Sequence, residues 1–181
     1  MTAEEKKEAA CLLYTWRDLF ADDIKDMPVT DLSVHRIPIY RGAQPRRAKD
    51  RLYTKEERDW LEVNISKLEE AGIIAHSESP WVHRTKFVRK KYQSLRMVHV
   101  FCRINSVMML SGYSTKRIEP VLHNLMQARF SSNFQADTVN GFWAVLLHPS
   151  HAYRTAFSTH EGQWQYLRMG QELARARQTY A

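Results

Sequence analysis

The chain has 181 residues, 44% of them hydrophobic and 26% charged, with a formal net charge of +7. That balance is globular and excludes an intrinsically disordered chain, no apolar run approaches the length of a membrane span, and the polar start Met1-Thr2-Ala3-Glu4-Glu5-Lys6-Lys7-Glu8 is neither a signal peptide nor an Arg-rich presequence. The 2 cysteines, Cys11 and Cys102, stand apart and make neither a disulfide framework nor a zinc pattern, so a reducing compartment, cytoplasmic or nuclear, is the default expectation.

Residues 3 to 20 place Ala9, Leu12, Leu13, Trp16, Leu19 and Phe20 at helical spacing, a single apolar stripe expected to pack on the rest of the protein or on a preceding domain. Residues 32–40 alternate imperfectly, and Pro38 confines them to a sheet edge. Gly42 to Asp50 is a basic loop carrying Arg46 and Arg47. It opens the segment Arg41–Arg103, which holds 15 Lys and Arg against 8 Asp and Glu, while the remaining 12 basic and 12 acidic residues cancel. The whole net charge therefore lies in one stretch. A concentrated basic surface suits a polyanion, nucleic acid being the usual one; a solvated face is the equal alternative.

Thr54-Lys55-Glu56-Glu57 is a capping box. Trp60, Leu61, Ile65, Leu68 and Ala71 continue a helix in which Asn64 is the polar intruder, and Gly72 is its C-terminal cap. Residues 82–90 and 95–101 read as two strands joined at Lys91-Tyr92-Gln93-Ser94, the first setting Arg84, Lys86 and Lys90 on one face around Val88. A helix is predicted over 115–129 from Ile118, Leu122, Leu125 and Met126, with Pro120 tolerable in its first turn. Short strands are predicted over 133–137, 146–156 and 164–169. His148 and His151 have ligand-like spacing, but no Cys or acid is placed to complete a metal site.

The stretch Phe134-Gln135-Ala136-Asp137-Thr138-Val139-Asn140-Gly141-Phe142-Trp143 delivers one carboxylate from an apolar strand, then a turn, then an aromatic five residues after the acid. That is the layout of a polymerase palm strand; a turn-capping Asp before Asn140-Gly141 is the alternative. Two-metal phosphoryl transfer gathers several carboxylates around cations about 3.5–4 Å apart. After Asp137 the only acids are Glu161 and Glu172, and one aspartate cannot hold such a pair.

Nine blocks then fall into a known order: His35-Arg36-Ile37-Pro38, Leu68 to Ile74, Ser77-Glu78-Ser79-Pro80-Trp81, Lys86 to Lys91, Leu95-Arg96-Met97-Val98, Ile104-Asn105, Phe134 to Trp143, Tyr153-Arg154-Thr155-Ala156-Phe157, and Leu167-Arg168-Met169-Gly170-Gln171. Across nearly all of residues 10–181 the chain resembles the reverse transcriptase of gypsy-type LTR retrotransposons, the fungal lineages in particular. The resemblance implies an α+β fold, the fingers and partial palm of the right-hand polymerase fold. Residues 1–29 would be an N-terminal helix and linker. Residues 30–181 would be a partial reverse transcriptase domain, with fingers at about 30–110 and 145–175 and the first palm segment at about 111–144, stopping before the Tyr-x-Asp-Asp hairpin.

The resemblance also implies roles. Asp137 matches the first catalytic, magnesium-binding aspartate. Phe142 matches the steric gate under the incoming sugar, where a core aromatic is the alternative. Arg96, Lys90 and Lys91 lie on the fingertip hairpin that grips the triphosphate of a deoxynucleotide, with plain exposed charges as the alternative. Gln171 matches the residue over the incoming nucleotide. Arg46, Arg47, Arg84 and Lys86 would face an RNA or RNA–DNA hybrid template-primer, and the rest of a Pol polyprotein would be a further partner. Trp81 reads as fingers packing.

Several positions depart from the family pattern. Tyr92-Gln93-Ser94 replaces the fingertip Asp-Gly, and Val100-Phe101-Cys102 replaces Asp-Tyr-Arg. Glu172, Arg175 and Arg177 replace Gly, Gly and Pro, where larger charged residues obstruct close approach of the backbone. The expected protein is thus a polymerase-derived fragment inactive alone, with a non-catalytic nucleic-acid-binding or co-opted interaction module as the rival reading. A folded fingers region and a looser part from about residue 130 onward are expected, because the strand partners of Asp137 are missing.

Overall fold

The computed structural model describes residues 2–17, 23–89, 94–110, 112, 118–127, 138 and 140–180. Among these the elements run α1 (Ala3–Thr15), β1 (Thr30–His35), α2 (Lys55–Glu70), β2 (Ile74–His76), β3 (Arg84–Arg89), β4 (Leu95–Val100), α3 (Cys102–Val107), α4 (Ile118–Gln127), β5 (Val145–Leu147), α5 (Pro149–Ala152), β6 (Phe157–Ser158), β7 (Gln163–Tyr166) and α6 (Ala176–Tyr180). None of the described helices is long and apolar enough to cross a membrane.

Helix α2 is built as its sequence dictates. Thr54 Oγ1 accepts from the Glu57 amide at 3.3 Å while the Glu57 carboxylate accepts from the Thr54 amide at 2.9 Å, a reciprocal cap worth about 1 kcal/mol. At the other end Gly72 takes φ +61°. This lets its amide reach Glu69 O and the Ile73 amide reach Leu68 O, the pair of bonds that closes a helix on a left-handed residue. The inward face of α2 buries Leu61, Ile65 and Leu68, each worth about 1.5–3 kcal/mol on full burial. Asn64 does not intrude on the core: its Nδ2 donates to Trp60 O within the helix at 2.8 Å.

Among the described residues the strands form three small sheets. Strand β7 lies between β2 and β6, antiparallel to both, with Ile74 opposite Tyr166 and Phe157 opposite Trp164. Strands β3 and β4 form the anticipated hairpin, in register from Arg84↔Val100 to Arg89↔Leu95. It is joined to β6 through the bridge His83↔Phe157. Strand β1 runs parallel to β5 and ends at His35, before Pro38 can interrupt the ladder. The common core holds Ile37, Ile73, Phe101, Ile104, Met108, Phe157 and Met169 beside the α2 residues.

Two expectations are corrected. The strand foreseen over 146–156 is one only at 145–147. Pro149 opens α5 at its first turn, where its fixed φ and missing N–H suit a helix, and Thr155 Oγ1 then accepts from the Tyr166 amide at 3.0 Å. After residue 140, Val145, Leu147, Trp164, Tyr166, Met169, Leu173 and Ala176 are all buried in the core. The α1 stripe buries no residue among those described, with Leu12 62% exposed and Trp16 57% exposed. The stripe of α4 is likewise exposed, Met126 at 85%, and Pro120 sits in its first turn as expected. The strand predicted over 133–137 lies outside the described residues.

Candidate nucleic-acid and nucleotide interface

The β3–β4 hairpin sorts its charges by the pleat. Along β3, Arg84, Lys86 and Val88 are exposed while Thr85 is buried, as alternation of side chains requires. Their partners across the ladder are Val100, Val98 and Arg96, and directly paired residues share a face, so Arg84, Lys86 and Arg96 lie on one side of the hairpin. The basic loop is pinned to the base of the same strand. The Val82 amide donates to Arg46 O at 3.2 Å and the Ala48 amide to Val82 O at 2.8 Å. Arg46 and Arg47 are exposed there, although Arg47 is partly engaged, donating to Gln163 Oε1 at 2.9 Å. Lys90 and Lys91 lie outside the described residues.

Arg96 reaches Gln171, its guanidinium donating to the side-chain oxygen. These two residues line a cavity of about 670 Å³ between α2, β4 and the segment 138–143. Asn105 holds the segment that carries Gln171. Its Nδ2 donates to Glu172 O at 2.9 Å and its Oδ1 accepts from the Ala174 amide at 3.0 Å. Sequence reading included Ile104-Asn105 among the family blocks but gave Asn105 no task; its clamp spans 67 residues, beyond the reach of local pattern.

Lys67 and Arg96 share that lining with Asp23 and Glu172. Two anions offset two cations, so the formal charge of this wall is balanced. Glu172, standing where glycine was expected, is one of the two. Phe142 does not line the cavity; Trp143 does. Asn140, at φ +51°, turns the chain into a single helical turn over Gly141–Ala144, and the Phe142 ring packs on Tyr180 with centroids 5.2 Å apart. The structure therefore brings Arg96 and Gln171 together and sets Phe142 against α6. Trp81 is buried at 3% exposure, in keeping with a packing role.

Behind the cavity wall lies a closed polar chain. Thr85 Oγ1 donates to Ser158 O at 3.3 Å and faces His99 Nδ1 at 3.3 Å, while His99 Nε2 faces the Tyr166 hydroxyl at 2.9 Å. With the Thr85 proton committed to the carbonyl, Nδ1–H donates to Thr85 and Tyr166 donates to Nε2. A neutral imidazole satisfies every partner. Burial accordingly lowers His99 to about 3, the nearby His83 adding to the effect, and burial pushes the Tyr166 phenol well up. Arg168, unassigned from sequence beyond its block, is a buried strut: Nη2 donates to Ala71 O at 3.0 Å and Nη1 to Met27 O at 3.3 Å.

The metal donors were tested against the same geometry. Asp137 lies outside the described residues. Glu172 is on the cavity wall, and Glu161 is in the β6–β7 turn, its amide donating to Thr159 Oγ1 at 3.3 Å. Among the described residues no three His, Cys, Asp or Glu side chains converge. His148 and His151 have ring centroids 5.1 Å apart, but both Nδ1 atoms are occupied, one by Ser150 Oγ at 2.7 Å and one by the Ile37 amide at 3.1 Å. Among the described residues, the acids do not fit a two-cation centre.

This architecture is an α+β polymerase-like fold shared with reverse transcriptases of known structure. The foamy viral protease–reverse transcriptase in complex with an RNA/DNA hybrid superposes with a TM-score of 0.82 at 21% identity, covering 99% of this chain and 24% of that one. The deletion form of that enzyme in complex with double-stranded DNA gives 0.80 at 20% identity, covering 99% and 31%. No protein-family model matches the chain. The sequence is homologous to retrovirus-related Pol polyproteins of transposons. It is 32% identical over 137 residues to that of the Drosophila melanogaster transposon opus, covering 73% of this chain and 13% of the polyprotein. It is 26% identical over 153 residues to that of transposon 297 of the same organism, covering 82% and 14%. The chain thus spans about one-seventh of the length of these curated relatives.

Proposed function

We propose that this chain is a reverse transcriptase piece of a gypsy-type, fungal-like retrotransposon polyprotein, and that it grips template-primer without polymerising on its own. Fingers would be about residues 30–110 and 145–175, the first palm segment about 111–144, and residues 1–29 an N-terminal helix and linker. The observation that carries the reading is the outer hairpin face, where Arg84, Lys86 and Arg96 stand on one side with Arg46 and Arg47 at its base. Such a row neutralises successive backbone phosphates without reading bases. The foamy viral enzyme of the same fold forms complexes with an RNA/DNA hybrid and with double-stranded DNA, which supports the same ligand class here.

The parent chemistry would join a deoxynucleotide to a primer, with Asp137 as one magnesium ligand, Arg96, Lys90 and Lys91 on the triphosphate, and Gln171 over the nucleotide; Phe142, packed on Tyr180 here, would have to turn away from α6 to serve as the gate. Those are roles for a completed site. Binding is the function proposed for the chain because the basic hairpin face is what the described residues supply. Anisotropy titration with a labelled RNA–DNA hybrid at low salt tests this. Replacing Arg46, Arg47, Arg84 and Lys86 with Ala is expected to weaken binding at least about tenfold, from the loss of several charged phosphate contacts. Equal affinity of the two proteins would refute the assignment.

A further inference from the structure

A second cavity of about 440 Å³ shares no lining residue with the first. Three elements wall it: Ser33, Val34 and Arg36 from β1 and the residue after it, His151 from α5, and Arg175 with Gln178 and Thr179 at α6. We propose that this cavity is a phosphate-binding site, with Arg36, Arg175 and His151 as its ligands.

The chemistry of the walls supports it. His35 points inward and is fully buried while Arg36 is exposed, the alternation continuing just past the strand end. The Ile37 amide donates to His151 Nδ1 at 3.1 Å. That bond fixes the tautomer: Nδ1 is the acceptor, so Nε2 carries the hydrogen and presents a donor on the other side of the ring. Thr179 Oγ1 lies 2.8 Å from His35 Nδ1, which ties α6 to the end of β1 beside the cavity.

The cations here are uncompensated. Among the described residues the ion pairs of arginine and lysine are Lys25–Glu70, Arg47–Asp50, Arg51–Glu57 and Arg89–Glu56; none involves Arg36, Arg154 or Arg175. The charges felt at His151 come from Arg154, His148 and Arg36, and those at His35 from Arg175 and His151, every one basic. Like charges gathered at one cavity repel, and an anion between them relieves the repulsion. Two guanidinium forks, one imidazole N–H and the Ser33 hydroxyl supply more donors than a carboxylate can accept. A tetrahedral phosphate has oxygens for all of them, and guanidinium pairs with it bidentately. The phosphate can come from a nucleic-acid backbone or from a free phosphate or pyrophosphate.

Proton NMR of the histidine Cε1–H resonances, with inorganic pyrophosphate and a short single-stranded oligonucleotide as separate probes, tests the site. At least one probe should move the His151 resonance in the full chain, and the affinity should fall about tenfold or more in the Arg36→Gln, Arg175→Gln double variant. A shift by both probes, with competition between them, assigns the ligand to a nucleic-acid backbone; a shift by pyrophosphate alone assigns it to free phosphate. The hairpin variant lacking Arg46, Arg47, Arg84 and Lys86 should keep the His151 response, which separates this site from the template-primer face. Arg36→Gln alone, at an exposed position, replaces the double variant if the latter does not fold, and should still weaken binding. No movement of His151 with either probe, or unchanged affinity in the arginine variants, overturns the proposal.

Discussion

Lowering the pH from 7.5 to 5 should destabilise this protein by about 4 kcal/mol, and two buried histidines account for it. His99 is held neutral down to about 3 and His35 down to about 4, in each case chiefly by burial. In the unfolded chain both titrate near the ordinary value of about 6.5. Between these limits the unfolded state binds protons that the folded state refuses, so stability rises with pH across the window and falls as the pH drops below about 6.5. At pH 5 each site is almost fully protonated only when unfolded, which costs about 2 kcal/mol per histidine. Burial lowers His83 and His151 in the same direction. Against a typical total of about 5–15 kcal/mol the loss is large. Urea unfolding at pH 7.5 and pH 5 measures it, and His99→Gln should shrink the difference between the two pH values by about 2 kcal/mol. A pH-independent midpoint, or an undiminished difference in the variant, would refute the neutral Tyr166–His99–Thr85 chain.

Three further outcomes follow from the same geometry. Arg168→Met removes the donors to Ala71 O and Met27 O and should cost about 1–3 kcal/mol in thermal or chemical denaturation, since a buried carbonyl is left unpaired; no loss would mean that water replaces the guanidinium. A Cβ at Gly141 would lie 2.3 Å from the Tyr180 hydroxyl and 2.9 Å from Thr138 Cγ2. Gly141→Ala should therefore cost about 1 kcal/mol, less in a Tyr180→Ala background, and additive costs in that double-mutant cycle would sink the contact. Purified 181-residue chain should show no magnesium- or manganese-dependent primer extension on poly(rA)/oligo(dT); extension abolished by Asp137→Ala would show that one aspartate suffices.

Much of this fold is written locally and was legible for that reason. The capping box at Thr54, the left-handed Gly72 and the alternation of Arg84, Thr85 and Lys86 each rest on a few adjacent residues. The two strands of the hairpin were legible from their composition and alternation, and their register was not. What escaped depends on distant partners. Asn105 clamps a segment 67 residues away, Arg168 braces the end of α2 across 97, and the pairing of Arg96 with Gln171 spans 75. Pro149 marked a helix start inside what read as a strand, because the apolar run before it masked its punctuation. The central place of β7, paired on both edges by β2 and β6, was missed because both of its partners are short and β2 lies about 90 residues away.

The central claim, that the hairpin face grips a nucleic-acid backbone, is met most directly by the salt dependence of RNA–DNA hybrid binding. The logarithm of the affinity should fall linearly with the logarithm of salt concentration, by about 0.9 for each duplex phosphate neutralised. Removing Arg46, Arg47, Arg84 and Lys86 should flatten that slope by up to about 3.6, with little change among hybrid sequences. A slope unchanged by the four substitutions, or no binding at low salt, would contradict the account and leave the basic surface a solvated one.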